Sequence, residues 1–213
     1  MLLSITIPAG ANTPALRKIA KAWAKTHKDL PASDFEKLTT TLIRNPDALQ
    51  KTMAGILLGY MTEQRSELSP VLYDDWLAHT KGWAAVDAIC YNNFTAAEML
   101  DNFTAWKTLI VRLSKSDNIN KRRGAIVLLT KPVKQSADPR LCALAFRIID
   151  NLSGEKDILI TKAVSWLLRH LTKHHAVAVR QYLGNHRHKL PAIAIRETGN
   201  KLSHGVKSPK KRK

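Results

Sequence analysis

Trp83 and Asp87 stand four residues apart in the stretch HTKGWAAVDAICYNNF, residues 79–94. On a helix that spacing turns an indole and a carboxylate toward one face. A carboxylate can stabilise a growing positive charge or work on a water molecule, and an indole face favours a cation. Read singly, the pair is an ordinary core tryptophan and a solvated acid. Two further stretches change that weighing. NINKRRGAIVLLT places Arg122 and Arg123 at the start of an apolar helix, and ILITKAVSWLLRHLTKHH places Trp166 mid-helix with Arg169 three residues later. Two indoles, one carboxylate and several guanidiniums make a set suited to a groove that holds a phosphate polymer.

These side chains need helices to position them, and helix signals recur along the whole chain. Ser33-Asp34-Phe35-Glu36 and Thr95-Ala96-Ala97-Glu98 have the form of capping boxes. Asn45-Pro46, Ser69-Pro70 and Asp138-Pro139 each put a cap residue before a proline suited to a first helical position. Apolar residues follow at spacings of three and four: Ile56 and Tyr60; Ile126 and Leu129; Val164, Leu167, Leu168 and Leu171. Strict alternation over a useful length is absent, and no hairpin signal occurs. The pattern predicts an all-α chain of about ten to twelve helices of roughly 9 to 16 residues, joined by short turns. Short connections favour antiparallel pairs, and stacked pairs make an α-solenoid, a superhelix of HEAT-like pairs. A single domain is expected over residues 1–203, with a disordered basic tail over 204–213.

Charge narrows the partner. Lys and Arg number 34 against 17 acidic residues, a net charge of +17 across 213 residues. The tail VKSPKKRK supplies five of those charges, which leaves about +12 on the rest of the chain. A polyanion is the first partner to consider, and nucleic acid is the commonest. No apolar run approaches the roughly 20 residues that cross a bilayer, so no membrane partner is expected. MLLSITIPAG lacks the basic and sustained apolar regions of a signal peptide. Cys90 and Cys142 lie in separate helical segments without metal spacing, and two buried thiols are expected rather than a disulfide.

Four blocks, in order, resemble the AlkD-type alkylpurine DNA glycosylases of the DNA alkylation repair family. GANTPALRKIAK (10–21) is similar to the family's N-terminal turn and helix. LAHTKGWAAVDAI (77–89) is similar to its catalytic-aspartate helix. SDNINKRRGAIVL (116–128) is similar to its arginine block, and TKAVSWLLRH (161–170) to its second-tryptophan helix. The resemblance covers roughly residues 10–203. It implies that Asp87 is the catalytic carboxylate and that Trp83 and Trp166 wall the deoxyribose of the lesion. It also implies that Arg123 holds the backbone phosphate and that Arg169 adds a contact. Arg122, Lys81 and Lys162, in the same blocks, complete the expected DNA-binding set. The chain departs from the family in a start that looks shortened, in Asn120-Lys121 before the arginines, and in YNNF after the aspartate helix.

The implied activity is hydrolytic excision of cationic N3- or N7-alkylated purines from double-stranded DNA. A carboxylate would stabilise an oxocarbenium-like sugar, as in glycosidases, without a base-flipping pocket. The base leaves neutral, so neither a general acid nor a cofactor is required. A monomer in the bacterial cytoplasm, associated with the nucleoid, is the expected setting. A noncatalytic helical-repeat module that binds nucleic acid explains the charge and the helices equally well. A helical-repeat protein scaffold is a third reading.

Weaker signals have plainer explanations. His170 and His174 have a metal-compatible spacing but no nearby Cys or acid as a third ligand, so surface or phosphate-facing roles are expected. Asp74 and Asp75 are adjacent and point apart on a helix, as capping or solvated groups do. Trp23, Trp76 and Trp106 occupy apolar helical positions and are expected in the core. SPKKRK reads as a source of nonspecific phosphate contacts.

Overall fold

The computed structural model describes residues 3–91 and 94–209. The described residues form twelve helices and no strands: α1 (Thr13–Thr26), α2 (Ala32–Arg44), α3 (Ala48–Tyr60), α4 (Thr62–Glu67), α5 (Leu72–Ala78), α6 (Gly82–Cys90), α7 (Ala96–Asp101), α8 (Phe103–Ser114), α9 (Ile119–Gln135), α10 (Pro139–Leu152), α11 (Ile158–Asn185) and α12 (Ala192–His204). The all-α class expected of the sequence is the one observed. The chain groups into two compact units, Met1–Phe94 and Thr95–Lys213, where the sequence pattern predicts one domain over 1–203. The expected tail begins at the last residue of α12; residues 205–209 follow it, and 210–213 lie outside the described residues, as do 92 and 93 of the YNNF stretch.

Local chemistry sets most helix starts. Thr95 forms the expected capping box: its side chain accepts from the Glu98 N–H while Glu98 reaches back to the Thr95 N–H. Asp138 caps α10 with Pro139 in its first turn, also as expected. Ser33 does not cap. The carbonyl of Pro31 accepts from Asp34 and Phe35, so α2 starts two residues earlier than a Ser33 cap would set it and Ser33 falls inside it. Asn45 closes α2, and α3 begins after Asp47, which accepts from the Leu49 N–H. Ser69-Pro70 form a turn that leads into α5 at Leu72. Helix α11, 28 residues long, breaks at His175, whose φ of −125° and ψ of 38° are not helical.

In the first unit α3 packs against α1, α2 and α6. Its buried face is Met53, Ala54, Leu57 and Leu58, whereas Tyr60 is exposed and Ile56 half-buried. The apolar spacing of Ile56 and Tyr60 therefore points to the wrong side of α3. Three neighbouring helices take up the opposite surface. Gly55 is the point of closest approach. A Cβ there would lie 2.3 Å from the carbonyl oxygen of Ala88 in α6, so the two backbones touch at this crossing. Trp76 is fully buried and donates to the Thr40 hydroxyl, 3.0 Å away. Trp23 is only half-buried and stacks on His27 with ring centres 4.0 Å apart, one turn along α1, which corrects its expected place in the core.

In the second unit α9 is the central helix, packed against α7, α8, α10 and α11, while α12 covers α11. Ile126, Leu129, Val164, Leu167, Leu168 and Leu171 are fully buried, as their spacing predicts. Two histidines one turn apart on α11 bond two carbonyls one turn apart on α9: His170 to Thr130 at 2.8 Å and His174 to Lys134 at 3.0 Å. The paired numbers rise together, so α9 and α11 run in the same direction. Next-but-one helices have that relation in stacked antiparallel pairs, the solenoid arrangement. Cys90 and Cys142 are both buried. Among the described residues no helix is long and apolar enough to cross a membrane.

The Gly55 crossing yields a test. Gly55→Ala forces a methyl into the Ala88 carbonyl, and neither backbone can yield without moving α6. The variant is expected to lose about 1–3 kcal/mol or more in denaturant unfolding, the range for overpacked cores. An unchanged midpoint would show that the crossing is loose.

Candidate nucleic-acid interface and reaction centre

The first cluster lies on α6. Lys81 is the extended residue before the helix, and Gly82 opens it with a φ of +78°, a conformation that L side chains rarely adopt. The helix buries Ala85, Val86, Ile89 and Cys90. Trp83, one turn before Asp87, is 57% exposed. An indole that open to water on a nine-residue helix is not serving the core, contrary to the plain reading of a lone tryptophan. Asp87 is half-buried and Lys81 exposed. The crossing at Gly55 and Ala88 fixes the backbone next to Asp87, so the carboxylate stands on a supported helix. Sequence reasoning missed Gly55; its signal was a glycine inside an otherwise apolar helix.

The second cluster joins α9, α11 and α12. Trp166 is half-buried and donates its indole N–H to His170 Nε2 at 2.9 Å, with the rings edge to face. His170 Nδ1 lies 2.8 Å from the Thr130 carbonyl. An indole nitrogen only donates and a carbonyl only accepts, so the proton is on Nδ1 and Nε2 carries a lone pair. The imidazole is thus neutral and of one tautomer. Burial is the main cause that pulls its pKa below the ordinary 6.5, the Thr130 bond opposes it, and Lys134, Arg169 and Lys201 lower it further. His170 relays the backbone of α9 to the indole of Trp166 and fixes the ring's orientation.

Arg169 lies one turn beyond Ser165. Glu197 of α12 accepts from the Ser165 hydroxyl at 2.8 Å and pairs with Arg169 Nε at 3.3 Å. Burial lowers the Arg169 pKa and Glu197 raises it. Arg123 is buried rather than open to a phosphate, and its Nη1 donates to the Leu159 carbonyl at 2.5 Å, tying α9 to the first turn of α11. Arg122 donates to the carbonyls of Ser116 and Asp117 and pairs with Glu155 at 2.5 Å. Lys162 is exposed one turn before Trp166. The structure therefore gathers Lys81, Trp83 and Asp87 on α6, and Lys162, Trp166 and Arg169 on α11 with Arg123 bonded to that helix's start. His170 and Glu197 were not legible as site residues, because their partners lie 40 and 32 residues away. Among the described residues no group of three or more His, Cys, Asp or Glu could hold a metal.

The profile of a family described as "DNA alkylation repair enzyme" matches residues 8–202. The chain belongs to the DNA alkylation repair enzyme family. The fold is similar to that of a solved structure described as a predicted DNA alkylation repair enzyme from Enterococcus faecalis. The two share 19% identity over 93% of this chain and 89% of that chain, with a TM-score of 0.76. No curated protein matches the sequence significantly. The structural likeness, at that identity, concerns the fold.

The neutral His170 carries a pH signature. Its folded pKa is depressed, so its contribution is fully present above 6.5 and is lost as the pH falls below that value and protons go preferentially to the unfolded chain. His175, also lowered by burial, adds in the same direction. Denaturant unfolding at a series of pH values is expected to show stability declining below pH 6.5. His170→Gln is expected to flatten part of that decline; an identical pH profile would show that the imidazole is not held neutral.

Proposed function

We propose that this protein is a DNA glycosylase that hydrolyses the N-glycosidic bond of cationic N3- or N7-alkylated purines in duplex DNA. The observation that carries this reading is the α6 pair, a solvent-facing indole one turn from a half-buried carboxylate, in a member of the DNA alkylation repair family. Alkylation places a formal positive charge on the purine, which weakens the bond to C1′. The bond breaks with its electron pair going to the base, which departs as a neutral molecule. Positive character remains on the sugar ring. Asp87 stabilises that oxocarbenium-like cation and orients the water that attacks C1′; the water's proton passes to the carboxylate or to solvent.

Trp83 presents its ring face to the cationic sugar, and Trp166, oriented by His170, offers a ring face of the same kind. Arg169, Lys162 and Lys81 contact backbone phosphates, and Arg123, buried and bonded to the Leu159 carbonyl, holds the start of α11 behind them. Arg122 supports Arg123 by holding the turn before α9. The lesion is read through its sugar and backbone rather than in a base pocket. The working form is a monomer acting on chromosomal DNA.

The net charge of +17 equally supports a noncatalytic helical-repeat module that binds nucleic acid. Both readings predict salt-sensitive binding, and only the glycosylase releases free base. Incubation with duplex DNA carrying N7-methylguanine or N3-methyladenine is expected to liberate the modified base. Asp87→Asn is expected to lower excision by about 10² or more while duplex affinity stays nearly intact. Near-normal turnover in that variant would remove Asp87 from the mechanism, and no base release by the wild type would leave the binding module.

A further inference from the structure

The second unit contains a cavity of about 450 Å³ between the end of α9, the middle of α11 and the end of α12. Six cationic side chains line it: Lys134, Arg169, Lys173, Arg180, Lys201 and Lys207. No carboxylate is among the lining residues described. On α11 Arg169 and Lys173 lie one turn apart before the break at His175, and Ala176 and Arg180 one turn apart after it. Lys134 comes from α9 and Lys201 from α12. Lys207 is returned to the cavity by a specific turn. Gly205 adopts the left-handed conformation at the end of α12, with φ 71° and ψ −5°, the Lys201 ammonium bonds its carbonyl, and Asn200 donates to the Lys207 carbonyl at 3.0 Å. The start of the basic tail is therefore built into the cavity wall.

Like charges in a concave surface repel one another and concentrate a positive potential. Glu197 is positioned to offset Arg169 alone. The same potential reaches His170, which Lys134, Arg169 and Lys201 help to hold neutral. An arrangement of this kind is relieved by an anion. Its charge indicates which one: six cations exceed the roughly two negative charges of one phosphate group. A run of phosphates matches that lining better than a single small anion.

We propose that the α9–α11–α12 cavity is a second phosphate-binding site, which takes the sugar-phosphate backbone of duplex DNA beyond the phosphates held at the reaction centre. The proposal rests on the reading of this chain as a DNA-binding protein, but it does not require base excision. Lys134, Lys173, Lys201 and Lys207 supply point charges to successive phosphates, and Arg180, held by the Leu202 carbonyl at 3.3 Å, closes the far end.

The test uses unmodified duplex DNA and the full chain, with affinity measured across a salt series. Lys134→Ala/Lys173→Ala is expected to shallow the slope of log affinity against log salt by about 1.8, or about 0.9 for each phosphate no longer neutralised. Lys107→Ala/Lys115→Ala, which removes the same charge from α8 and its end, is expected to leave the slope nearly unchanged. Lys134→Arg/Lys173→Arg is expected to restore the wild-type slope, which separates an effect of charge from one of folding. The proposal is overturned by an unchanged slope in the Ala pair, or by an equal change in the α8 pair. It is also overturned if inorganic pyrophosphate raises the unfolding temperature through these lysines while the DNA slope stays as in the wild type, because the site then serves a small anion. Failure of Asp87→Asn to reduce excision would count against the proposed reaction and leave this result untouched.

Discussion

The backbone contact between Gly55 and Ala88 is the constraint on which the first unit depends. Two helices can approach that closely only where one of them carries no Cβ. The approach seats α6 directly on α3, and α6 is too short to hold its place by hydrogen bonding alone: nine residues make a marginal helix without tertiary support. Burial of Val86, Ile89 and Cys90 then fixes the rotation of α6. Once the rotation is fixed, Trp83 is on the wet side and Asp87 at its margin. The exposed indole is thus a consequence of a glycine one helix away.

The second unit solves the same problem with polar contacts. Its central helices are tied by side chain to backbone: Arg123 to Leu159, His170 to Thr130 and His174 to Lys134. The first two lie among part-buried groups, where leaving one partner unsatisfied costs about 1–3 kcal/mol, while the His174 bond is exposed. They also pass orientation outward. Thr130 sets the tautomer of His170, and His170 sets the indole of Trp166. Glu197 does the same for Ser165 and Arg169. A rigid ring face and a rigid guanidinium lose less entropy on meeting a ligand than mobile ones do.

Electrostatics runs through both units. Acidic residues are few, and those near the candidate site hold cations in place: Glu155 on Arg122 and Glu197 on Arg169. The remaining excess of positive charge is left for a polyanion, and its attraction will be strongest at low salt. Asp87 stands out in this setting because a carboxylate is the group a phosphate polymer tolerates least. On the proposed reading, that carboxylate beside an exposed indole stabilises positive charge next to DNA.

Much of the helical framework and the residue types of the site were legible in the sequence. A capping box at Thr95 and a capped proline at Asp138 formed because the interactions lie within one turn. Ser33 failed because Pro31, two residues earlier, had already started the helix. The blocks with Trp83, Asp87, Arg123 and Trp166 could be picked out by order and spacing, and family membership bears out the resemblance they carried. What the sequence alone determined is therefore the local chemistry: where helices start, which of most faces are apolar, and how much charge must find a partner. Tertiary structure decided the rest. It exposed Trp23 in part and turned Ile56 and Tyr60 away from the core, because three helices claimed the other side of α3. It buried Arg123, and it recruited His170, Glu197 and Gly55 to positions whose purpose depends on atoms more than 30 residues distant. Spacing along a chain encodes contacts one turn away; contacts between helices depend on which backbones can approach, and that is settled only when they pack.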